Sequence, residues 1–471
     1  MAAHRQSPGW TLALTSIAFF MVALDTLVVI TALPAMQHDL HAGLSTLEWT
    51  VNAYSLAFAA GIITAAALGD RFGRRRVFVL GLALFTAASA ACALAPTAGF
   101  LIAARAVQGI GGAMVMPLSL TLLTAAFPSE RRGAVVGVWG GIAGLAVASG
   151  PVVGGAVTQG LDWQRVFWVN VPIGLVAAIL SALRLAESRG AATRLDLPGA
   201  GLAAGAAVGL VGGLVRANEA GWSSLETVST LGAGLLLLAG FVAWERRARE
   251  PMLPLRLFSN RTFSAASTTA TLMSAALIGA AFLVSQYFQT VLGLSPLNAG
   301  LRLLPWTATP LLVAPLAGAL SDRIGQRPLM VLGMLLQGCG LTWLALVANT
   351  AAGYDRLVLP LAVAGIGVSM VFATAPTAAL NAVSPRDMGK AAGANSTLQR
   401  FGGALGIAIV TAVFAATGHL GTQARFDAGF RPALAVAGGL SLVGAMTALG
   451  FRGRRRSPAA NPSTLADAAA G

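Results

Sequence analysis

Long apolar stretches carrying almost no charge constrain this chain more than any other feature of it. Fourteen can be marked, near 11–33, 46–68, 77–95, 100–126, 133–158, 165–185 and 198–215, then near 226–244, 263–290, 298–320, 329–349, 357–378, 389–415 and 432–451. A soluble fold must be polar outside, and with 56% hydrophobic and 10% charged residues this chain lacks the polar surface to cover itself. A bilayer removes that demand. A helix needs roughly 20 apolar residues to cross it, and only helices or closed barrels satisfy their backbone there. The stretches are continuous rather than alternating, which favours helices over a barrel. The reading is an all-α polytopic membrane protein with fourteen transmembrane spans. The first stretch has few flanking positive charges and no cleavage-like site, so it reads as a retained helix, not a signal peptide.

Basic residues then orient the spans, because loops rich in Arg and Lys stay on the cytoplasmic side. Arg71, Arg74, Arg75, Arg76, Arg131, Arg132, Arg184, Arg189 and Arg194 all fall in loops on the N-terminal side. So do Arg246, Arg247, Arg249, Arg256, Arg261, Arg323, Arg327, Arg386 and Lys390, with Arg5, Arg452, Arg454, Arg455 and Arg456 at the termini. Arg165, Arg216, Arg356, Arg425 and Arg431 fall on the other side. Both termini are expected in the cytoplasm of a bacterial cell, with the chain in the inner membrane. The net charge of +14 is thereby explained as topology, and nucleic-acid binding is set aside.

Cys92 and Cys339 sit in separate apolar runs and read as small core residues, and the four histidines form no ligand spacing. No Ser/His/Asp set, metal cluster or complete nucleotide-binding loop is legible, so neither an enzyme nor ATP drive is expected.

After the second span the chain reads Ala66-Ala67-Leu68-Gly69-Asp70-Arg71-Phe72-Gly73-Arg74, and after the tenth Gly318-Ala319-Leu320-Ser321-Asp322-Arg323-Ile324-Gly325-Gln326-Arg327. Two six-helix repeats would set such copies roughly 200 residues apart. Here they are about 250 apart, and the surplus fits two inserted helices. The expected domains are a six-helix bundle over 1–190, two inserted helices and a loop over 191–260, a second bundle over 261–456 and a disordered tail over 457–471. In each loop the small residue allows close helix approach, the glycine turns the chain, and the arginines face the cytoplasm and its anionic lipids. Asp70 can cap a helix start or pair with a nearby arginine. Either the loop only sets topology or it latches one conformation until its charge pairs break; its duplication favours the latch.

These loops resemble the signature loop of the major facilitator superfamily. Leu101-Ile102-Ala103-Ala104-Arg105-Ala106-Val107-Gln108-Gly109 is similar to its fourth-helix motif, and Gly150-Pro151-Val152-Val153-Gly154-Gly155 to the fifth-helix motif of its antiporters. Leu24-Asp25-Thr26-Leu27-Val28-Val29-Ile30-Thr31-Ala32-Leu33-Pro34 resembles the first-helix motif of the fourteen-helix drug:proton antiporters. Segments 163–174, 295–301 and 400–406 look like the same branch. Ala66 stands where the loop motif usually opens on glycine, and Ala146 where the antiporter motif often has another; alanine is still small enough for close packing.

Asp25 is the acidic residue nearest the middle of a span. A carboxylate there is costly, so it must face a cavity, pair, or be protonated for part of a cycle. Burial favours its neutral form, which suits a proton carrier. The bland alternative is a structural carboxylate bonded to a neighbouring helix. Arg105 is the matching intramembrane cation and cannot usefully deprotonate, so its role would be to tune that carboxylate, with Gln108 on the same face. Gly150, Pro151, Gly154 and Gly155 break and thin span five; the resemblance implies a bend that works during exchange, against a plain packing kink. Arg302 and Arg400 lie near or within spans of the second half, and Arg302 can snorkel. A substrate pocket should be central, mostly apolar and supplied by both halves, with Tyr54, Gln108, Met114, Met116, Gln286, Tyr287, Gln289, Trp306, Asn395 and Gln399 as candidates.

The resulting expectation is proton-coupled efflux of small hydrophobic or cationic compounds by alternating access, with no cofactor beyond the proton gradient. A dedicated exporter of one natural product, such as an antibiotic or siderophore, is the alternative, and a non-transporting sensor is the alternative of another class. An accessory efflux partner is left open.

Overall fold

The computed structural model describes residues 8–190, 196–248, 251, 253–348, 353–384, 387–418 and 423–450, and these are helical with no strand among them. Arg5, Arg194, Arg249, Arg386, the four arginines of 452–456 and the tail 457–471 lie outside the described residues, as do the side chains of Arg131, Arg132 and Asp322. The helices are α1 (Pro8–Asp39), α2 (Leu44–Phe72), α3 (Arg74–Ala93), α4 (Ala98–Ala126), α5 (Ser129–Gly160), α6 (Arg165–Trp168), α7 (Asn170–Arg184), α8 (Leu197–Ala220) and α9 (Leu225–Arg247). They continue as α10 (Arg261–Gln286), α11 (Pro296–Arg302), α12 (Leu304–Thr307), α13 (Thr309–Ile324), α14 (Gln326–Val347), α15 (Tyr354–Asn381), α16 (Met388–Thr417) and α17 (Gln423–Leu449).

Thirteen spans are long and apolar enough to cross a bilayer, with 165–184 and 261–291 each counted as one. The 32-residue α5 fills the gap between the fourth and fifth of these and supplies the fourteenth. The chain is a multi-pass membrane protein. Two expected spans are segmented. Pro296, Pro305 and Pro310 each sit in the first turn of their own helix, so 296–324 runs as α11, α12 and α13. Proline lacks the N–H that a continuous helix needs, but is accepted where that N–H has no partner.

The helix pairings repeat. In the first set α2 packs on α4, α3 on α4, α1 on α5 and α3 on α7; in the second α13 packs on α15, α14 on α15, α10 on α16 and α14 on α17. The two signature loops turn alike, through Gly73 at φ 112° and Gly325 at φ 86°. Such positive φ values cost a side chain energy and cost glycine little.

The pair α8 and α9 pack on each other, and α8 lies against α2 of one set and α16 of the other. Leu56, Val211, Val215, Ala404 and Ala408 form that seam. Only 17% of the apolar window of α9 is buried, against 67% for α1, which puts α9 at the lipid rim and α1 near the centre. Cys92 is buried, but Cys339 is exposed on α14 and corrects its reading as a core residue. Lipid is as apolar as a core, so an all-apolar run hides which face looks inward.

Candidate functional site

Asp25 lies near the middle of α1, and its side chain is fully buried. Arg105 Nη1 of α4 donates to its Oδ2 at 2.5 Å, Gln108 Nε2 to its Oδ1 at 2.9 Å, and Asn170 Nδ2 of α7 to the same Oδ1 at 3.1 Å. Arg105 and Gln108 reach one carboxylate because residues three apart share a helix face. Gln108 is itself saturated: its Oε1 accepts from Arg105 at 2.5 Å and its Nε2 also donates to Ser89 Oγ at 2.7 Å. Arg105 Nε donates to the Thr50 carbonyl at 3.3 Å, and the guanidinium lies over the Tyr54 ring, 4.2 Å from its centre. Asp25 and Asn170 also border a water-sized void of about 10 Å³ otherwise lined by aliphatic side chains. The expected Asp25–Arg105–Gln108 group therefore meets, and Asn170, Ser89 and Thr50 join it. The signal for Asn170 was present as a lone amide inside Val166-Phe167-Trp168-Val169-Asn170-Val171.

One residue along, Thr26 and Leu27 line a central cavity of about 220 Å³ bounded by α1, α2, α4, α5, α10, α12, α13, α15 and α16. Of the pocket candidates, Met116, Trp306 and Gln399 line it. The others lie elsewhere. Tyr54 is buried beneath Arg105, Gln108 belongs to the carboxylate network, and Met114 packs against Gly81. Tyr287 stacks on Phe430 at 4.7 Å, while Gln286 is buried and Asn395 nearly so outside the cavity lining. Gln289 ties two helices, donating to the Thr31 carbonyl at 3.0 Å. Arg400 lines the cavity and lies over the Phe58 ring, 4.2 Å from its centre, one turn from Tyr54 on α2. Arg302 instead lies over Tyr354.

Helix α5 continues through Pro151, and its glycines are points of close approach: Gly150 to Leu27, Gly154 to Val28 and Thr31, and Gly155 to the Pro296 carbonyl of α11. Gly300 of α11 meets the Pro151 carbonyl in return. Ser285 Oγ donates to the Ile30 carbonyl at 3.1 Å, and the Leu297 N–H to Gln159 Oε1 at 3.3 Å. These contacts join the two helix sets at the end remote from the arginine-rich loops.

In the first signature loop Asp70 pairs with Arg74 at 2.8 Å, within its own segment, and Arg71 is exposed over Phe72. The loop is held by the chain after α7. The Arg75 N–H donates to Glu187 Oε1 at 3.0 Å, the Arg74 N–H to the Ser188 carbonyl at 2.9 Å, and Arg75 and Arg76 lie within 3.8 Å of the Glu187 carboxylate. Both partners are partly wet, so each ion pair adds little. Glu187→Gln is expected to cost about 1 kcal/mol through its charged hydrogen bond, read as a lower thermal midpoint in detergent; an unchanged midpoint would remove Glu187 from the loop's support. In the second loop Arg323 is exposed. At the start of α16, Asp387 is held below the usual carboxylate range by the Ser384 hydroxyl first and Arg256 next, the latter at 2.6 Å.

The family model of the Major Facilitator Superfamily matches residues 15–407 and 265–470. The chain is 36% identical over 414 residues to the tetracenomycin C resistance and export protein of Streptomyces glaucescens, covering 87% of this chain and 77% of that protein. It is 35% identical over 408 residues to the multidrug resistance protein Stp of Mycobacterium tuberculosis (strain CDC 1551 / Oshkosh), covering 86% and 76%. Among solved structures, a POT family transporter in complex with a thioalcohol-conjugated peptide superposes with TM-score 0.71 at 14% identity over 93% of this chain and 95% of that one, a likeness of fold alone.

Proposed function

Since the chain belongs to the major facilitator superfamily, we propose that it is a proton-coupled efflux transporter of small, largely apolar compounds, a transporter and not an enzyme. The observation that carries the reading is the enclosed Asp25 carboxylate, held by three donors and one residue from the cavity-lining Thr26. A proton delivered to that carboxylate turns an acceptor oxygen into a donor. At Oδ2 it would face the Arg105 N–H, so α1 and α4 must shift before the proton can stay. Proton occupancy is thereby tied to helix position, as exchange requires. The relatives' names, an export protein and a multidrug resistance protein, support efflux.

In this reading residues 1–190 and 261–456 form two halves that rock about the cavity and expose it to one side at a time. Residues 191–260 are the insertion. The contacts of Gly155 and Gly300 are the gate at one end, and the first signature loop with Glu187 steadies the other. The distribution of arginine supports both termini in the cytoplasm of a bacterial inner membrane. No cofactor is needed in this scheme, since the proton gradient drives it. Purified chain in proteoliposomes is expected to move a fluorescent substrate against its gradient when a pH difference is imposed, and to stop when a protonophore collapses that difference. Transport that outlives the collapse would remove proton coupling, and immobility across a broad dye panel would remove multidrug efflux.

A further inference from the structure

Resting on the efflux reading, we propose that the central cavity selects amphipathic anions: compounds with an apolar, ring-bearing body and one acidic group that seats on Arg400.

The sign of the cavity decides this. Arg400 is the only charged residue among the described residues that line it; no Asp or Glu does so. The guanidinium has no carboxylate partner among the described residues. Its hydrogen-bond contacts are long, 3.4 Å to Thr26 Oγ1 and 3.9 Å to Met116 Sδ, and its remaining support is the Phe58 face. A guanidinium offers five N–H donors in a planar fork suited to a carboxylate or sulfonate. Asp25 cannot serve as its counter-charge, because that carboxylate is committed to Arg105, Gln108 and Asn170.

A second observation points the same way. Trp306 lines the cavity, is 2% exposed, and its Nε1 has no partner among the described residues. An indole N–H can only donate. The Arg400 guanidinium and this indole N–H can only donate, and the Gln399 amide, also in the lining, adds a group that can donate or accept but no charge. A cationic substrate would meet like charge in a low-dielectric space and no acid to balance it. The rest of the lining, including Phe19, Leu277, Ile278, Phe372 and Met273, suits an apolar body. Charge repulsion alone cannot make such an anion compete with a proton on Asp25. Exchange must be enforced through helix position, and the adjoining rings of Tyr54 and Phe58, 5.8 Å apart on α2, each carry one of the two arginines.

The test uses two probes with one scaffold, 1-anilinonaphthalene-8-sulfonate and its neutral parent N-phenyl-1-naphthylamine, titrated against the full chain in nanodiscs by energy transfer from tryptophan. Arg400→Gln is expected to weaken the sulfonate by about tenfold or more, the size of a lost charge-assisted bond, and to change the parent less than about threefold. Arg400→Lys keeps the charge and should keep most of the sulfonate affinity. Equal losses for both probes would make Arg400 a packing residue and overturn the proposal, as would unchanged binding of the sulfonate. If Arg400→Gln is not recovered folded, the native chain decides: tighter binding of the sulfonate than of the neutral parent is expected, and tighter binding of the parent overturns the proposal. Binding needs no gradient, so a chain that prefers the sulfonate but moves no dye sinks the efflux reading and leaves this one standing.

Discussion

Asp25→Asn is expected to abolish pH-driven efflux while leaving substrate binding within reach of the native value. The asparagine cannot take up a proton, so whatever coupling Asp25 supplies is lost outright; coupling between sites is typically worth about 1–3 kcal/mol, or 5–150-fold. The substitution also strands Arg105 at 1% side-chain exposure without its counter-charge. Removing one partner of a buried pair costs about 3–5 kcal/mol, and Asn would turn an N–H toward at least one of the donors at 2.5, 2.9 and 3.1 Å. A lost activity could therefore mean a lost fold. The double variant Asp25→Asn with Arg105→Gln separates the two, because removing both charges of a buried pair is often neutral for stability. The double variant is expected to regain the native thermal midpoint in detergent and still to show no gradient-driven movement. If efflux returns with stability, Asp25 is a structural carboxylate and the proton site is elsewhere.

The sequence announced the Asp25 network because charge stands out in an apolar run. Asp25, Arg105 and Gln108 were each legible as polar residues in spans, and the i, i+3 spacing of the last two put them on one face. Asn170 was missed as a partner because an amide near a span end has many harmless explanations. The lining of the central cavity was much less legible. Trp306 and Gln399 line it, yet Tyr287, Gln286 and Met114, of similar chemistry, do not. In a membrane the outer face of a helix is as apolar as the inner one, so periodicity does not say which methionine or aromatic looks into the centre. The same blindness explains Cys339, exposed on α14. The repeat was readable from two short loops, whereas the position of α8 across α2 and α16 depends on packing between distant segments that no local pattern encodes. Pro151 lies inside a helix that runs through it, so the missing N–H does not end α5, and the neighbouring glycines serve close approach to α1 and α11.

That close approach carries the other large effect. Gly155→Val is expected to open the contact between α5 and α11 and to cut efflux by about tenfold. A Cβ at Gly155 collides with the Pro296 carbonyl, and the backbone on both sides is helical, so neither can yield as a flexible side chain would. Overpacking of this kind costs about 1–3 kcal/mol, and about 1.4 kcal/mol is already tenfold in a population. The cost falls only on the state in which α5 meets α11. Gln159 and Leu297 report on that state, since the Leu297 N–H donates to Gln159 Oε1 at 3.3 Å. In a background with Cys92 and Cys339 replaced by serine, a Gln159→Cys, Leu297→Cys pair should cross-link readily, and adding Gly155→Val should lower the yield by about the factor lost in transport. Gly160→Val on the same helix serves as the control, because a Cβ there meets nothing within 4 Å, and it should change neither measurement. An unchanged cross-link yield with lost transport would mean that the contact does not open and close, and the gate would then have to be sought between α1 and the span 261–291, where Ser285 and Gln289 hold the carbonyls of Ile30 and Thr31.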